Sequence, residues 1–243
     1  MEIIDMHCHF NHDVAGDTRV NELYRADIPF LKKERERLGI SKTFMSSFSS
    51  VLSTERIYEE NEDLFNQAQS EEWLYQWVVL DPREKKLFVQ VETLLKQNKV
   101  VGIKIHPEQH GYSILDYADE IFAFANEYKT TVLMHPAQII KTAAVADKYP
   151  DMQLVIAHLG SMEHIEAIAN AKHGNVYTDT SGQASYRNNI IEYAVNKVGS
   201  EKIFFGTDTY SCAFQVGRIL FADISQKDKE NILRNNAIKF FMK

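Results

Sequence analysis

The stretch IIDMHCHF (Ile3–Phe10) places two histidines two residues apart, directly after a short apolar run. Successive side chains of a β-strand point to opposite faces. The alternation predicts two faces, with Asp5, His7 and His9 on one and Ile4, Met6 and Cys8 on the other. Two imidazoles would then converge, and histidine is the commonest metal ligand among side chains. A chance His-x-His pair fits this stretch equally, so the other ligands must come from elsewhere in the chain.

The composition predicts one compact domain over residues 1–243. Of these residues 44% are hydrophobic, which is enough to fill a sizeable core. Glycine and proline are scattered, and neither a low-complexity tract nor a long block of like charge marks a linker. The two cysteines allow at most one disulfide, which a chain of this size does not need.

The formal net charge of −7 disfavours binding to nucleic acid and to anionic membrane surfaces. The sequence shows neither a signal peptide nor an apolar run long enough to cross a bilayer. We therefore expect a cytoplasmic protein whose partner is a small-molecule substrate, and we allow for a homodimer.

Eight short apolar runs have the character of strands. They are IIDMHCHF, SKTFMSSF, WLYQWVVL, VVGIKIHP, TTVLMHPA, MQLVIAHLG, NVYTDTSG and KIFFGTD. Segments with helical periodicity follow them, at residues 30–38, 55–69, 84–98, 115–128, 139–149, 161–172, 187–198 and 225–241. Gly39 is expected to end the first helix, and Ser225-x-x-Asp228 to begin the last.

Eight strand-helix units in about 250 residues are typical of a single-domain (β/α)8 TIM barrel, an α/β fold. An open doubly wound sheet is the rival. It lacks support, because no glycine-rich phosphate turn follows the first strand.

Polar residues collect at the predicted strand ends, where the catalytic groups of such barrels lie. His106, His135, His158 and Asp208 each close an apolar run, as the histidine pair closes the first. Each alone could be a buried histidine bonded to a carbonyl, or a helix-capping aspartate. Together they indicate one polar rim with a metal site.

These motifs carry a resemblance to a known family. The segments DMHCHF, GIKIHP, VLMHPA, VIAHLG, TDTSG, FFGTD and NAIKFF resemble the amidohydrolase superfamily, specifically its amidohydrolase-2 branch of metal-dependent hydrolases and decarboxylases. The resemblance implies that His7, His9 and Asp208 bind a divalent metal, with His135 as a further ligand or a bridge to a second ion. It also implies that His158 moves a proton, and that Asp208 accepts one from a water acidified by the metal.

Strand four departs from the binuclear pattern of the superfamily. Lys104 and His106 share a face there, and Lys104 could bridge two metals, pair with a carboxylate or contact substrate. We expect one tight site and allow a weaker second one, with Lys104, His106 and His158 as the residues available to a second ion or to substrate. Zinc suits the ligands best, and manganese and iron also suit them.

Weaker substrate contacts are expected from the loops. Arg19 lies in a long loop at residues 11–28 that could cover the mouth of the barrel, and Tyr112 and Arg187 follow strands four and seven. Cys8 is expected to face the helices as a core residue.

The leading functional hypothesis is a hydrolase that acts on a small ester, lactone or amide. The first alternative is a nonoxidative decarboxylase of a small carboxylic acid, which uses nearly the same ligands. The second is a barrel that binds metal without catalysis. Deoxyribonucleases of the superfamily fit poorly, because they carry a glutamate on strand four that this chain lacks.

Overall fold

A closed ring of parallel strands forms the centre of the molecule. The computed structural model describes residues 2–11, 26–182 and 186–242. Its eight strands are ordered along the sheet as they are along the chain. They are β1 (Ile3–Phe10), β2 (Ile40–Ser47), β3 (Leu74–Val79), β4 (Val100–Ile105), β5 (Thr131–Met134), β6 (Gln153–Ile156), β7 (Val176–Asp179) and β8 (Ile203–Phe204). Each overlaps its predicted run, which confirms the (β/α)8 barrel.

The barrel closes between its first and last strands through backbone hydrogen bonds. The amide of Met6 donates to the carbonyl of Phe205 at 2.9 Å, and the amides of Thr207 and Asp208 both donate to the carbonyl of His7, at 3.0 and 2.7 Å. We call the contacts between residues 5–9 and 205–209 the closing seam. Since β8 is only two residues long, the seam rather than a regular ladder joins the ends of the sheet.

Helices surround the barrel. They are α1 (Ile28–Leu38), α2 (Phe48–Leu52), α3 (Ile57–Ser70), α4 (Lys85–Leu95), α5 (Pro107–His110), α6 (Ile114–Glu127), α7 (Ile139–Ala146), α8 (Met162–Asn170), α9 (Ile190–Val198), α10 (Cys212–Leu220), α11 (Gln226–Glu230) and α12 (Asn236–Phe241). Gly39 ends α1 at φ 72°, and the Ser225 hydroxyl caps α11, as expected. The periodicity of the sequence does not predict α2, α5 and α10.

Two apolar layers stabilise this arrangement. Inside the barrel, side chains from all eight strands pack together, and the C-terminal helix covers them with Phe240 and Phe241. Outside, the opposite faces of the strands pack against the helices, with Ile103 and Phe122 both fully buried. Such burial of large apolar side chains is the main source of stability of the fold.

The two faces predicted for β1 need a correction. Ile4 and Met6 do lie together in the barrel interior, but Cys8 packs outside, against Leu31 and Met45. A register shift between Asp5 and Cys8 inserts an extra residue relative to β2. Such a bulge reverses the alternation that follows it. Met6 therefore points into the barrel, whereas Cys8 points towards the helices. The expectation that Cys8 faces the helices is confirmed.

Among the described residues, none of the helices combines the length and the apolar character that a membrane crossing requires.

Candidate metal centre

The polar strand ends meet at one rim of the barrel. A cavity of about 190 Å³ opens there. Six predicted site residues line it, namely His9, Lys104, His106, His135, His158 and Asp208. A second part of its wall is apolar or aromatic, formed by Phe48, Val51, Leu52 and Tyr210. The cavity therefore joins polar reactive groups to a surface that suits a small organic molecule.

Three side-chain atoms converge beside this cavity. Nε2 of His9 lies 3.1 Å from Oδ1 of Asp208, and Nε2 of His7 lies 3.7 Å from the same oxygen. Ligand atoms bound about 2.0–2.2 Å from one ion lie roughly 3.0–3.5 Å from each other. The separations are close to that range, and neutral imidazoles with a carboxylate suit a divalent ion. These residues therefore fit the metal that the family resemblance implies.

Two side chains orient the ring of His7 through its Nδ1 atom. Its Nδ1 lies 2.9 Å from Oδ2 of Asp179 and 2.9 Å from the Ser181 hydroxyl. A carboxylate at Nδ1 fixes the proton there, so the lone pair lies on Nε2, where an ion could bind and where Nζ of Lys104 now lies 2.9 Å away. Ser46 contacts Nδ1 of His9 at 2.9 Å in the same way. Both imidazoles thus present Nε2 to the point where Asp208 lies.

A second group, His7, His158 and Asp179, also brings three ligand atoms within reach of one another. Its carboxylate is already satisfied by protein donors. Oδ1 of Asp179 accepts hydrogen bonds from the Ser181 hydroxyl and from the amides of Ser181 (2.8 Å) and His158 (3.2 Å). We therefore assign this group as the support of the metal centre and not as a second centre.

His158 occupies a constrained position at the end of β6. Its backbone is left-handed, at φ 63°, which is uncommon for a residue other than glycine. Its Nδ1 lies 2.9 Å from the Ser181 hydroxyl, so Nε2 is the ring nitrogen available to the cavity. Gly182 packs beside it, and a Cβ there would lie 3.0 Å from Nδ1 of His158 and 3.1 Å from Oδ2 of Asp208.

Lys104 is buried, with 1% of its surface exposed, and its Nζ lies 2.9 Å from Nε2 of His7. This contact with a metal-ligand candidate differs from the three roles considered for Lys104, namely a bridge between metals, a partner of a carboxylate or a substrate contact. His106 stacks on His135 with ring centroids 3.9 Å apart. Both rings line the cavity, and His135 also meets His158, with ring centroids 5.1 Å apart.

Burial controls the protonation of the centre. It lowers the pKa of His7 and of His135 to about 3, and it also lowers the pKa values of His9 and His106. Burial lowers the pKa of Lys104 to about 8. The imidazoles are therefore neutral near pH 7, the state that binds metal.

Burial alone would raise the pKa of Asp208, but the neighbouring His158, His9 and His7 hold that pKa well below its usual range. The pKa of Asp179 is likewise held low, since the effects of His7, His158 and Ser181 exceed that of burial. Both carboxylates are therefore ionised, so the centre supplies two negative charges against the positive charge of an ion.

The structure separates the remaining predicted residues from the centre. Tyr112 packs against Arg83 and Tyr117, and Arg187 is exposed; neither lines the cavity as far as the described residues define it. Arg19 and most of its loop lie outside the described residues. Asp179 and Ser181 were not assigned roles from the sequence, although both occur in the quoted TDTSG motif.

Comparison with known proteins places these observations in a family. The family model described as amidohydrolase (Amidohydro_2) matches residues 4–242. The chain belongs to this amidohydrolase family. The family resemblance drawn from the strand-end motifs is confirmed, and it is a family of enzymes. A search of curated protein sequences found no match to the chain.

Solved structures share the fold of this amidohydrolase at low identity. The 2,6-dihydroxybenzoate decarboxylase from Rhizobium is 13% identical, with a TM-score of 0.80 over 100% of this chain and 99% of that one. The dihydroxybenzoic acid decarboxylase from Polaromonas sp. JS666, solved with bound manganese, is 16% identical, with a TM-score of 0.78 over 99% and 97%. A protein from Pseudomonas putida, provisionally assigned as a 2-pyrone-4,6-dicarboxylic acid hydrolase, is 18% identical, with a TM-score of 0.73 over 99% and 97%.

Proposed function

We propose that this amidohydrolase is a metal-dependent hydrolase of a small ester, lactone or amide. The observation that carries the proposal is the convergence of His7 Nε2, His9 Nε2 and Asp208 Oδ1 at the edge of a small cavity. We also propose His135, which lines the cavity, as a further ligand. Zinc and manganese both suit this set of atoms, and one tight site accounts for the geometry.

A divalent ion held there would acidify water and polarise a carbonyl. The protein supplies the proton transfers. The Asp208 carboxylate is ionised, and its position next to the histidine pair lets it accept a proton from the attacking water. His158 is held through Nδ1, so its Nε2 can exchange a proton with the leaving group. Lys104 and His106 then lie where they can contact the substrate.

The protonation of the site favours hydrolysis. Asp208 is ionised and His106 is neutral near pH 7, so the cavity holds proton acceptors besides the histidines proposed as ligands. Activation of water needs such a base. Decarboxylation ends with protonation of a carbon atom and therefore needs an acid.

A nonoxidative decarboxylase is the second candidate. The wall formed by Phe48, Val51, Leu52 and Tyr210 could accommodate an aromatic ring, and two of the similar structures are named as decarboxylases of aromatic acids. In that reaction Lys104 is the residue with the pKa best suited to donate the proton. The apolar wall also suits a lactone ring, so it does not decide between the two reactions.

A substrate screen tests the proposal. Protein loaded with Zn²⁺ or Mn²⁺ is assayed with lactones, simple esters, amides and aromatic carboxylic acids. His158→Asn and Asp208→Asn serve as inactive controls, and Asp151→Asn, on an exposed turn, as the matched active control. Turnover of a lactone, ester or amide above the inactive variants supports hydrolysis, and release of carbon dioxide supports the alternative. Turnover of neither class would favour the third reading, a barrel that binds metal without catalysis.

Two further expectations belong to the same proposal. We propose that the protein acts in the cytoplasm on a free small molecule, and that two copies pair in solution. Light scattering of the purified protein tests the pairing.

A further inference from the structure

Thr209 connects the two halves of the metal centre. It follows Asp208 directly, and its side chain reaches β1 across the closing seam. The hydroxyl accepts a hydrogen bond from the amide of His9 at 2.8 Å and donates one to the carbonyl of the same residue at 2.5 Å. The thiol of Cys8 lies 3.3 Å from the same oxygen. A hydroxyl has one hydrogen to donate and two lone pairs, so these contacts use its full capacity.

The backbone at this point is unfavourable for threonine. Asp208 and Thr209 are consecutive left-handed residues, at φ 55° and 67°. A β-branched residue at positive φ is a steric outlier, whereas glycine adopts that conformation freely. The hydrogen bonds of the hydroxyl compensate for this conformation, and glycine could not form them.

Other contacts of the closing seam hold Asp5 and His7: the Thr207 hydroxyl donates to Oδ2 of Asp5 at 2.6 Å, and the amides of Thr207 and Asp208 donate to the carbonyl of His7. Strand β8 ends at Phe204, and the ligand Asp208 lies four residues beyond it. The amide of Asp208 is bonded to the carbonyl of His7, but the position of His9 relative to Asp208 depends on the next residue, Thr209. The hydroxyl therefore links the backbone of His9 directly to the segment that carries Asp208.

We propose that Thr209 is a positioning residue for the metal, one that fixes His9 relative to Asp208 through its hydroxyl. The inference rests on the proposed function, because it takes these two residues as metal ligands. Thr209 does not touch the ion itself. Its effect should appear in the affinity for metal rather than in the stability of the barrel.

Three variants distinguish the effect of the Thr209 hydroxyl from the effect of the backbone conformation. Thr209→Ser keeps the hydroxyl, Thr209→Val keeps the shape but loses it, and Thr209→Gly loses it while relieving the backbone. Thr142→Val is the matched control, because it removes a buried threonine hydroxyl that bonds the carbonyl of Ala137 at 2.9 Å, in helix α7. The dissociation constant for Zn²⁺ is measured by competition with a chromophoric chelator, and folding by circular dichroism and thermal melting.

Outer contacts of metal ligands typically change affinity 10- to 100-fold. We expect Thr209→Val and Thr209→Gly to bind Zn²⁺ at least tenfold more weakly than the natural protein, whereas Thr209→Ser and Thr142→Val stay within about threefold. The glycine variant should melt at a higher temperature than the valine variant and still bind weakly. Because glycine suits the backbone, it provides the test even if the valine variant does not fold.

The outcomes are distinct. If the natural protein binds Zn²⁺ tightly and the glycine variant binds it equally well, Thr209 has no positioning role. If the natural protein binds no divalent ion, the proposed function itself fails. A third pattern, in which affinity follows melting temperature across all four variants, assigns Thr209 a structural role only and also overturns the inference.

Discussion

Nδ1 of His7 and Oδ2 of Asp179 lie 2.9 Å apart, although 172 residues separate them in the chain. Both side chains are fully buried, and the carboxylate has no contact with solvent. The pair holds the imidazole so that Nε2 points to His9 and Asp208. The Asp179 carboxylate therefore connects the supporting group of the candidate metal centre to the proposed ligand His7.

Asp179→Asn should weaken metal binding without unfolding the barrel. The amide keeps the size of the side chain but can present its NH₂ group to Nδ1, which favours the wrong tautomer of His7. We expect the dissociation constant for Zn²⁺ to rise about 10- to 100-fold, measured by chelator competition. Asp151→Asn is the control. Unchanged affinity in the Asp179 variant would mean that the carboxylate does not orient the ligand.

His158→Asn should retain metal and lose catalysis. The side chain contacts Ser181 and lines the cavity, but it is not one of the three converging ligand atoms. We expect kcat to fall about 10²- to 10⁴-fold, as for the loss of a proton-transfer group, with metal content unchanged by elemental analysis. Loss of the ion together with activity would instead make His158 a ligand.

Gly182→Ala and Gly111→Ala form a matched pair. Both glycines are left-handed, at φ 69° and 70°, so alanine strains the backbone equally at either position. A Cβ at Gly111 meets nothing within 4 Å, whereas one at Gly182 presses on His158 and Asp208. Each variant should lose about 1 kcal/mol of stability.

Only the Gly182 variant should lose most of its activity and bind metal more weakly. Thermal melting and steady-state assays on the two proteins check this. Equal activities would show that the contacts around Gly182 are not critical.

Removal of the ion should destabilise the protein. A ligand that binds only the folded state stabilises it by about 4 kcal/mol at a concentration 1,000 times its dissociation constant. We therefore expect the melting temperature to fall on treatment with a chelator and to recover when Zn²⁺ or Mn²⁺ is restored. The His7→Asn variant is the comparison, and it should show a much smaller difference between the two conditions. A chelator effect of equal size in that variant would point to an ion bound elsewhere.

The buried carboxylate of Asp81 predicts sensitivity to acid. Burial raises its pKa, but the hydrogen bonds from Arg83, at 2.7 to 3.0 Å, lower the pKa by more than burial raises it. The net shift is therefore downward. A group whose pKa is lower in the folded state stabilises the fold above its unfolded pKa of about 3.9, and the contribution disappears as the pH falls through the folded value.

The difference in melting temperature between the natural protein and Asp81→Asn should therefore be a few degrees at pH 7 and shrink below about pH 4. Thermal unfolding between pH 3 and pH 7 measures it. A difference that stays constant across this range would contradict the assignment.

The fold was predictable because strands and helices alternate with clear periodicities. The residues that line the cavity could be predicted only where a motif ended a strand, as for His135 and His158. Asp179 lies at the end of β7 but was not assigned a role from the sequence. Its partner His7 is distant in sequence, and only the closed barrel brings them together.

The failures have equally local causes. Alternation along β1 assumed a regular strand, and the bulge between Asp5 and Cys8 cannot be inferred from side-chain polarity. Helix α10 was missed because its apolar residues do not all face the core: Phe214 and Leu220 are exposed at 51% and 38%. Tyr112 was considered for the substrate side from its position after β4, but its ring turns towards Arg83.

The closing seam also bears on when the centre can exist during biosynthesis. The proposed metal centre has two parts that are made at different times. His7 and His9 leave the ribosome early, whereas Asp208 emerges only when most of the polypeptide has been made. A nascent chain therefore cannot hold the ion through this set of atoms. Capture of the metal should come after translation has passed the last barrel strand.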